Sequence, residues 1–369
     1  VTQPFLFISR NLPPVVGGIE RLMQHAIAAL QARAPVQVIG PEGCADHLQA
    51  EVLAALPFVI SRFLPQAAYV VAKQARFGRY RAVFAGNGLV APLAWLAAKR
   101  AGCPVVVFVH GLDLTYPHPL YQALFMRALR FSDLVVANSH YTAGLAKQKG
   151  IERVTVLHPG AAVDLPPPDT EAFLKQQRLN PGFLLSVGRL TPRKGVAHFI
   201  QHILPKLIET QPDLHYVVVG EAPQAEAALG YEASIQQAIQ QAGLQDRVHL
   251  LGGLPDAALQ AAFASASVHV FAVQDLPNDA EGFGMVAIEA AAQGLPTVAF
   301  RVAGVPDAVA EGASGSLVAS DKAFAQAVLR WLDKQKTHPA LVKAACKAHA
   351  AGFSWENYGQ RLWGLVESL

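Results

Sequence analysis

Short apolar runs of three to five residues alternate with longer stretches of helical periodicity along the whole chain. In the first half the runs are Phe5–Ile8, Val36–Ile39, Ala82–Phe84, Val105–Val109 and Leu134–Ala137. In the second half they are Phe183–Val187, His215–Val219, Val248–Leu251, Val268–Phe271 and Thr297–Phe300. Strands alternating with helices predict parallel sheets with helices on both faces, an α/β class. The halves also open alike. Phe5–Arg10 leads to Gly17-Gly-Ile-Glu-Arg-Leu22 much as Phe183–Arg189 leads to Lys194-Gly195, so two similar doubly wound domains are expected. The break between them is expected between Pro159 and Gly182, where Pro166, Pro167 and Pro168 run together and no core pattern continues. We place the domains at 1–164 and 165–351. An apolar-periodic terminal helix over 352–369 carries Tyr358, Leu362, Trp363 and Val366 after a Ser354 N-cap.

One element departs from simple patterning. Met285–Ala292 is apolar nearly all round, as a buried helix is, yet it carries Glu289. An ionised carboxylate left unpaired there is costly, so Glu289 is expected to face a polar cavity or accept from ligand hydroxyls such as those of a ribose. Before it, Gly282-Phe283-Gly284 permits close backbone approach. The free N–H groups at the helix N-terminus, at Gly284 and Met285, make an anion site. Arg189 and Lys194 follow a strand and precede a helix, at the strand's C-terminal end where ligands of such sheets bind. Two cations there suit a diphosphate. His110 ends the strongest apolar run, and Gly17-Gly18 makes a strand-to-helix turn that a phosphate or an acceptor could approach.

These residues together resemble the donor site of retaining glycosyltransferases of family 4, with the GT-B fold. The motif E-G-F-G-x4-E-A-x-A-x-G-x-P is matched at Glu281, Gly282, Phe283, Gly284, Glu289, Ala290, Ala292, Gly294 and Pro296. The family's V-G-R-L-x3-K-G is matched from Val187 and Gly188 through Arg189 to Lys194 and Gly195. The resemblance implies two Rossmann-like domains facing a central cleft: acceptor-binding first, donor-binding second, with the terminal helix crossing back onto the first. It implies that Arg189 and Lys194 stabilise a departing pyrophosphate, Glu289 holds the ribose, and Glu281 and His110 lie by the transferred sugar. Gly17, Gly18, Asn138, Ser139, Gly188, Glu221, Met285 and Val286 complete the donor surroundings. Departures occur at Gly220-Glu-Ala-Pro223, where the family has Gly-x-Gly-Pro, and at Pro159–Asp164 near the hinge.

The implied activity is metal-independent, retaining transfer of a hexosyl or N-acetylhexosaminyl unit. The donor would be a UDP- or GDP-sugar, and the acceptor a lipid-linked or other glycan of cell-envelope glycolipid or polysaccharide synthesis. No cofactor is implied, the nucleotide sugar being a substrate. The chain has no Asp-x-Asp to hold a diphosphate-bound metal. An epimerase of the same architecture, or a non-catalytic sugar-nucleotide binder, would keep many of the same contacts. A dehydrogenase is disfavoured because Gly17-Gly18 lacks Gly-x-Gly-x-x-Gly.

Composition adds limits. The 369 residues are 52% hydrophobic with mean hydropathy +0.27, yet no apolar stretch approaches the roughly 18 residues of a membrane span. No secretory signal pattern is visible, so a cytoplasmic place, peripheral on the inner membrane face, is expected. Three scattered cysteines argue for a reducing compartment and against structural zinc. Residues 1–164 hold 15 Lys and Arg against 8 Asp and Glu, whereas 165–369 hold 15 against 19. No acid occurs from Val52 to Leu112, where Arg62, Lys73, Arg76, Arg79, Arg81, Lys99 and Arg100 lie. That interval is either a solvated face or a surface for anionic lipid, with Phe63, Leu64, Tyr69 and Phe77 as anchors. No nucleic-acid partner is expected.

Overall fold

The computed structural model describes residues 3–222, 230–277 and 279–369, with the Leu120 side chain also outside that description. Two compact units divide the chain: Val1–Gly160 with Trp355–Leu369, and Ala161–Ser354. The first break thus falls at Gly160 rather than at 164, and the second at Ser354 rather than at 351. The reason is local. Ala161 N–H donates to the Phe353 carbonyl, tying both crossing segments of the second unit together at its edge.

The first unit holds a seven-stranded sheet of β1 (Phe5–Ile8), β2 (Val36–Pro41), β3 (Glu51–Leu56), β4 (Val83–Ala85), β5 (Val105–Val109), β6 (Leu134–Ala137) and β7 (Val154–Val156). Its order is β3-β2-β1-β4-β5-β6-β7, and every described pairing is parallel. The second unit holds β8 (Leu184–Val187), β9 (Tyr216–Val219), β10 (Val248–Leu250), β11 (Val268–Phe271), β12 (Thr297–Phe300) and β13 (Gly315–Val318). Their order is β10-β9-β8-β11-β12-β13, again parallel. Each sheet reverses its order beside its first strand, between β1 and β4 and between β8 and β11. Such reversals open crevices at the strands' C-terminal ends.

Core residues sit on both faces of each sheet. In the first, Phe5, Phe7, Phe84 and Phe108 pack on one side with helix Gly18–Gln31 and the terminal helix Trp355–Glu367. That terminal helix contributes Tyr358, Leu362 and Val366 to this core, and Trp355 stacks on His25 with centroids 3.7 Å apart. On the other side Leu6, Ile8, Val83, Val105 and Val107 pack against Phe63, Ala67, Val71 and the alanines of helix Ala91–Ala101.

The acid-free interval is not one surface. It runs through the buried strands β4 and β5, and Phe63, expected as a surface anchor, is 0% exposed. Phe77 and Tyr69 are exposed, at 88% and 61%. Arg81 stacks over Trp363, its carbon 4.9 Å from the ring centre, so it is engaged at the N-terminal edge of the sheet. Among the described residues no helix is long and apolar enough to cross a membrane. Cys44, Cys103 and Cys346 are free thiols.

Candidate functional site

In the second unit the site is built by the loops after β8 and β11. Val187 leads through Gly188 to a single 3-10 turn, Pro192–Lys194, closed by Gly195 at φ +69°. A β-carbon at Gly195 would collide with the Ala272 carbonyl, so only glycine lets this turn lie against the end of β11. Gln274 N–H donates to the Arg193 carbonyl at 2.8 Å and fixes the two loops to each other.

Two cations then converge on one carboxylate. Lys194 Nζ donates to Glu281 Oε2 at 2.7 Å, Arg193 Nη1 donates to the same oxygen, and Arg193 Nε donates to Asp279 Oδ1 at 2.9 Å. The Arg193, Lys194 and Glu281 side chains are only 9%, 16% and 13% exposed. Burial alone would raise the Glu281 carboxyl, but Lys194 and Arg193 outweigh it and hold it at about 2. Burial likewise pulls the Lys194 ammonium below its ordinary value, against the opposing pull of Glu281. Glu281 is therefore an anion locked between cations, and Lys194 keeps further N–H donors beyond the one given to it.

Beside this network, helix Met285–Ala292 starts after Gly284 at φ +98°. A side chain at Gly284 would meet Phe271. Met285 and Val286 are the first residues of the helix, so no carbonyl one turn earlier in the helix takes their N–H groups. Phe283 is buried, and Gly282 and Glu289 are half-buried. Gly188, just after β8, donates its N–H to the Val219 carbonyl at 3.0 Å. Arg189 is exposed, while the following Leu190 N–H donates to the Glu221 carbonyl at 2.9 Å. Glu221 is exposed too, its carboxylate accepting from Gly253 N–H at 3.2 Å. Thr191 Oγ1 is buried without a hydrogen-bond partner in the protein. Pro223, at one departure from the family motif, lies outside the described residues.

In the first unit a second polar cluster lies where β1, β4 and β5 end. Asn11 Nδ2 donates to Glu20 Oε1 at 2.7 Å, and Asn87 Nδ2 donates to Asn11 Oδ1. Asp113 accepts from the N–H of Gly88 and of His110, at 3.2 and 2.8 Å. His110 Nε2 lies 2.8 Å from the Gly86 carbonyl, an acceptor only, so that nitrogen carries the proton. In the neutral ring Nδ1 is then a lone-pair nitrogen, and it is buried with no hydrogen-bond partner in the protein. Asn138 Oδ1 is likewise buried and unpartnered. Gly17 and Gly18 form the start of helix Gly18–Gln31, beside Glu20. Ser139 is the N-cap of helix His140–Gln148: its hydroxyl accepts from Thr142 N–H and donates to Thr142 Oγ1, both at 3.1 Å, which explains its complete burial.

Five residues absent from the sequence reading thus join the clusters: Arg193, Asp279, Asn11, Asn87 and Asp113. Arg193 adjoins Lys194, but its significance lies in contacts with residues more than eighty positions away. Asn87 had a local signal, the Gly86-Asn-Gly88 turn between a strand and a helix.

Two parallel α/β units with polar residues gathered at the C-terminal ends of their strands define a doubly wound α/β class, in which ligands bind at those ends. The comparisons narrow this. Residues 16–165 match the family described as Glycosyltransferase Family 4, and residues 169–348 match Glycosyl transferases group 1. The chain belongs to the family 4 glycosyltransferases. It is 31% identical over 304 residues to a D-inositol 3-phosphate glycosyltransferase of Streptomyces scabiei, covering 76% of this chain and 66% of that protein. It is 27% identical over 334 residues to a GDP-mannose-dependent alpha-(1-6)-phosphatidylinositol monomannoside mannosyltransferase of Mycolicibacterium smegmatis, covering 85% and 84%. The chain spans only 51% of a second D-inositol 3-phosphate glycosyltransferase, from Corynebacterium urealyticum. In fold it is similar to Anabaena HepE, solved with UDP and glucose, at TM-score 0.80 and 24% identity with all of both chains covered. Its solved neighbours are GT-B glycosyltransferases in architecture.

Proposed function

We propose that this protein transfers a hexosyl or N-acetylhexosaminyl unit from a UDP- or GDP-sugar to a glycan or lipid-linked acceptor, with retention and without a metal. The observation that carries the reading is the Arg193–Glu281–Lys194 network beside the first turn of helix Met285–Ala292. In the reaction the bond from the anomeric carbon to the diphosphate oxygen breaks, and negative charge grows on the leaving nucleoside diphosphate. Lys194, Arg189 and the N–H groups of Met285 and Val286 are the donors that meet that charge. Glu289 accepts from the ribose hydroxyls. The acceptor oxygen bonds to the anomeric carbon on the face the diphosphate leaves, and its proton departs with the diphosphate. Glu281, fixed in its ionised form, orients Lys194 and accepts from a sugar hydroxyl. In the first unit, His110 Nδ1 is an acceptor that suits a hydroxyl donor.

The named relatives support this reading: one is GDP-mannose-dependent and acts on a phosphatidylinositol mannoside, and Anabaena HepE was solved with UDP. A thermal-shift comparison of UDP, GDP and ADP tests the donor. A nucleoside diphosphate at a hundred times its Kd adds about 2.7 kcal/mol of stability. No shift with any of them refutes the site. NMR of the product's anomeric configuration tests retention, and unchanged turnover in EDTA tests independence of metal.

A further inference from the structure

Helix Ala91–Ala101 keeps its small residues innermost. Its buried residues are Ala91, Ala94, Ala97, Ala98 and Ala101, packed on the sheet, while the half-buried Leu93 and Trp95 flank that face against the same core and Leu96 stands outward, exposed. Small residues innermost and large apolar residues at the flanks and outward is the reverse of an ordinary surface helix. The large residues are not isolated. With Leu64 of helix Ile60–Gln74, Leu124 of helix Pro119–Arg130, and Phe131, they line a cavity of about 430 Å3. That volume lies within the roughly 300–1,000 Å3 typical of ligand pockets. Leu96, Leu124 and Phe131 are 44%, 54% and 58% exposed, so the cavity opens to solvent through apolar side chains.

The charge around it has one sign. None of the three helices contains Asp or Glu, and they carry Arg62, Lys73, Lys99, Arg100, Arg127 and Arg130. Among the described residues Arg127 is the one charged side chain in the lining. Two cations sit on the lining's own aromatic rings: Lys99 Nζ is 4.5 Å from the Trp95 ring centre, and Arg127 Cζ is 5.8 Å from that of Phe131. An occupant therefore needs an apolar body for the cavity and a negative head for its rim.

We propose that this cavity takes an acyl chain of an anionic membrane lipid, with Lys99 and Arg127 meeting the headgroup. The lining residues all belong to the first unit and include none of the second unit's cluster, so the inference holds whether or not sugar is transferred. It also narrows the basic surface: the attraction comes from Lys99, within the acid-free interval, and from Arg127 beyond it, both at the cavity.

The test uses the full chain and vesicles of phosphatidylglycerol or phosphatidylcholine, at low salt, with phosphatidylglycerol brominated in its acyl chain as a quencher. The parental protein is expected to co-sediment with phosphatidylglycerol and not phosphatidylcholine, and to lose tryptophan fluorescence to the brominated chains. Leu124→Glu, at an exposed position, should weaken co-sedimentation by about tenfold or more, since it sets a carboxylate against both apolar chain and anionic head. Trp95→Phe should still co-sediment but lose most of the quenching. The double variant Lys99→Glu and Arg127→Glu should abolish binding, whereas the variant Arg76→Glu should retain it. Equal binding to phosphatidylcholine, or undiminished binding by Leu124→Glu, overturns the proposal. So does self-association of the lipid-free parent that Leu124→Glu removes, for that makes a second copy the occupant.

Discussion

Replacing Glu281 by Gln keeps the shape and a carbonyl acceptor but removes the charge that Arg193 and Lys194 share. The carboxyl is held from its ordinary 4.5 down to about 2, and at about 1.4 kcal/mol per pH unit this corresponds to about 3 kcal/mol. Side-chain exposures of 9–16% across the three residues leave little solvent screening to reduce it. The value also sits at the low end of the about 3–5 kcal/mol seen when one partner of a buried ion pair is removed. In a unit of this size each kcal/mol moves the melting temperature by about 2–4 °C, so Glu281→Gln should melt about 6–12 °C lower at pH 7. The pH dependence gives a second check. Glu281 binds its proton less readily folded than unfolded, so its contribution is complete above about pH 4.5 and fades as pH falls toward about 2. The gap between parent and variant should therefore be widest at neutral pH and narrow at pH 3. Taking the difference cancels acid effects common to both proteins, such as that of buried His269, whose pKa burial lowers to about 3. Scanning calorimetry at pH 7, 5 and 3 measures this. Equal melting temperatures at pH 7, or a gap that persists undiminished in acid, refute the account of the network.

Lys194→Ala and Arg189→Ala should each lower kcat by about 100-fold or more with the fold retained, as removal of a transition-state charge donor does; parental turnover by both variants sinks their assignment. Glu289→Gln should weaken nucleoside diphosphate binding by about 10- to 150-fold, the equivalent of about 1.5–3 kcal/mol for hydrogen bonds to a charged group, as calorimetric titration would record. Arg193→Lys should impair activity despite keeping the charge, because a lysine cannot reach both Asp279 and Glu281 as the planar fork does. Activity equal to the parent's would leave Arg193 a mere counter-charge.

The strands legible in the sequence are mainly those with neighbours on both sides, although the edge strand β10 was marked by its apolar run as well. Phe5–Ile8, Val105–Val109, Leu134–Ala137, Val268–Phe271 and Thr297–Phe300 are strands at the very positions their apolar runs mark. The strands that the patterning did not reveal are β3, β7 and β13, and all three are sheet edges. An edge strand has one hydrogen-bonding neighbour and one open side, so it needs no continuous apolar run. Glu51-Val-Leu-Ala-Ala-Leu56 is accordingly mostly exposed or half-buried, and Val154–Val156 is half-buried throughout.

The same distinction between local and distant causes separates the site residues. Lys194 and Glu281 stood out because each lies in a motif whose neighbours along the chain give it meaning. Arg193 did not, since an arginine preceding Lys-Gly is unremarkable until the loop after β8 is pressed against β11. What presses it there is Gly195, whose missing β-carbon admits the Ala272 carbonyl, together with the Gln274-to-Arg193 backbone bond. These contacts carry no side-chain chemistry for a pattern to register. Yet they put two neighbouring cations onto one carboxylate oxygen, and so decide that Glu281 is an anion at neutral pH and that Lys194 is held in place ahead of any ligand. A ligand that finds its donors already oriented loses less freedom on binding, and a transition state that finds them so requires less rearrangement. On this argument the glycine turn contributes to the site's chemistry as directly as the charged side chains it positions.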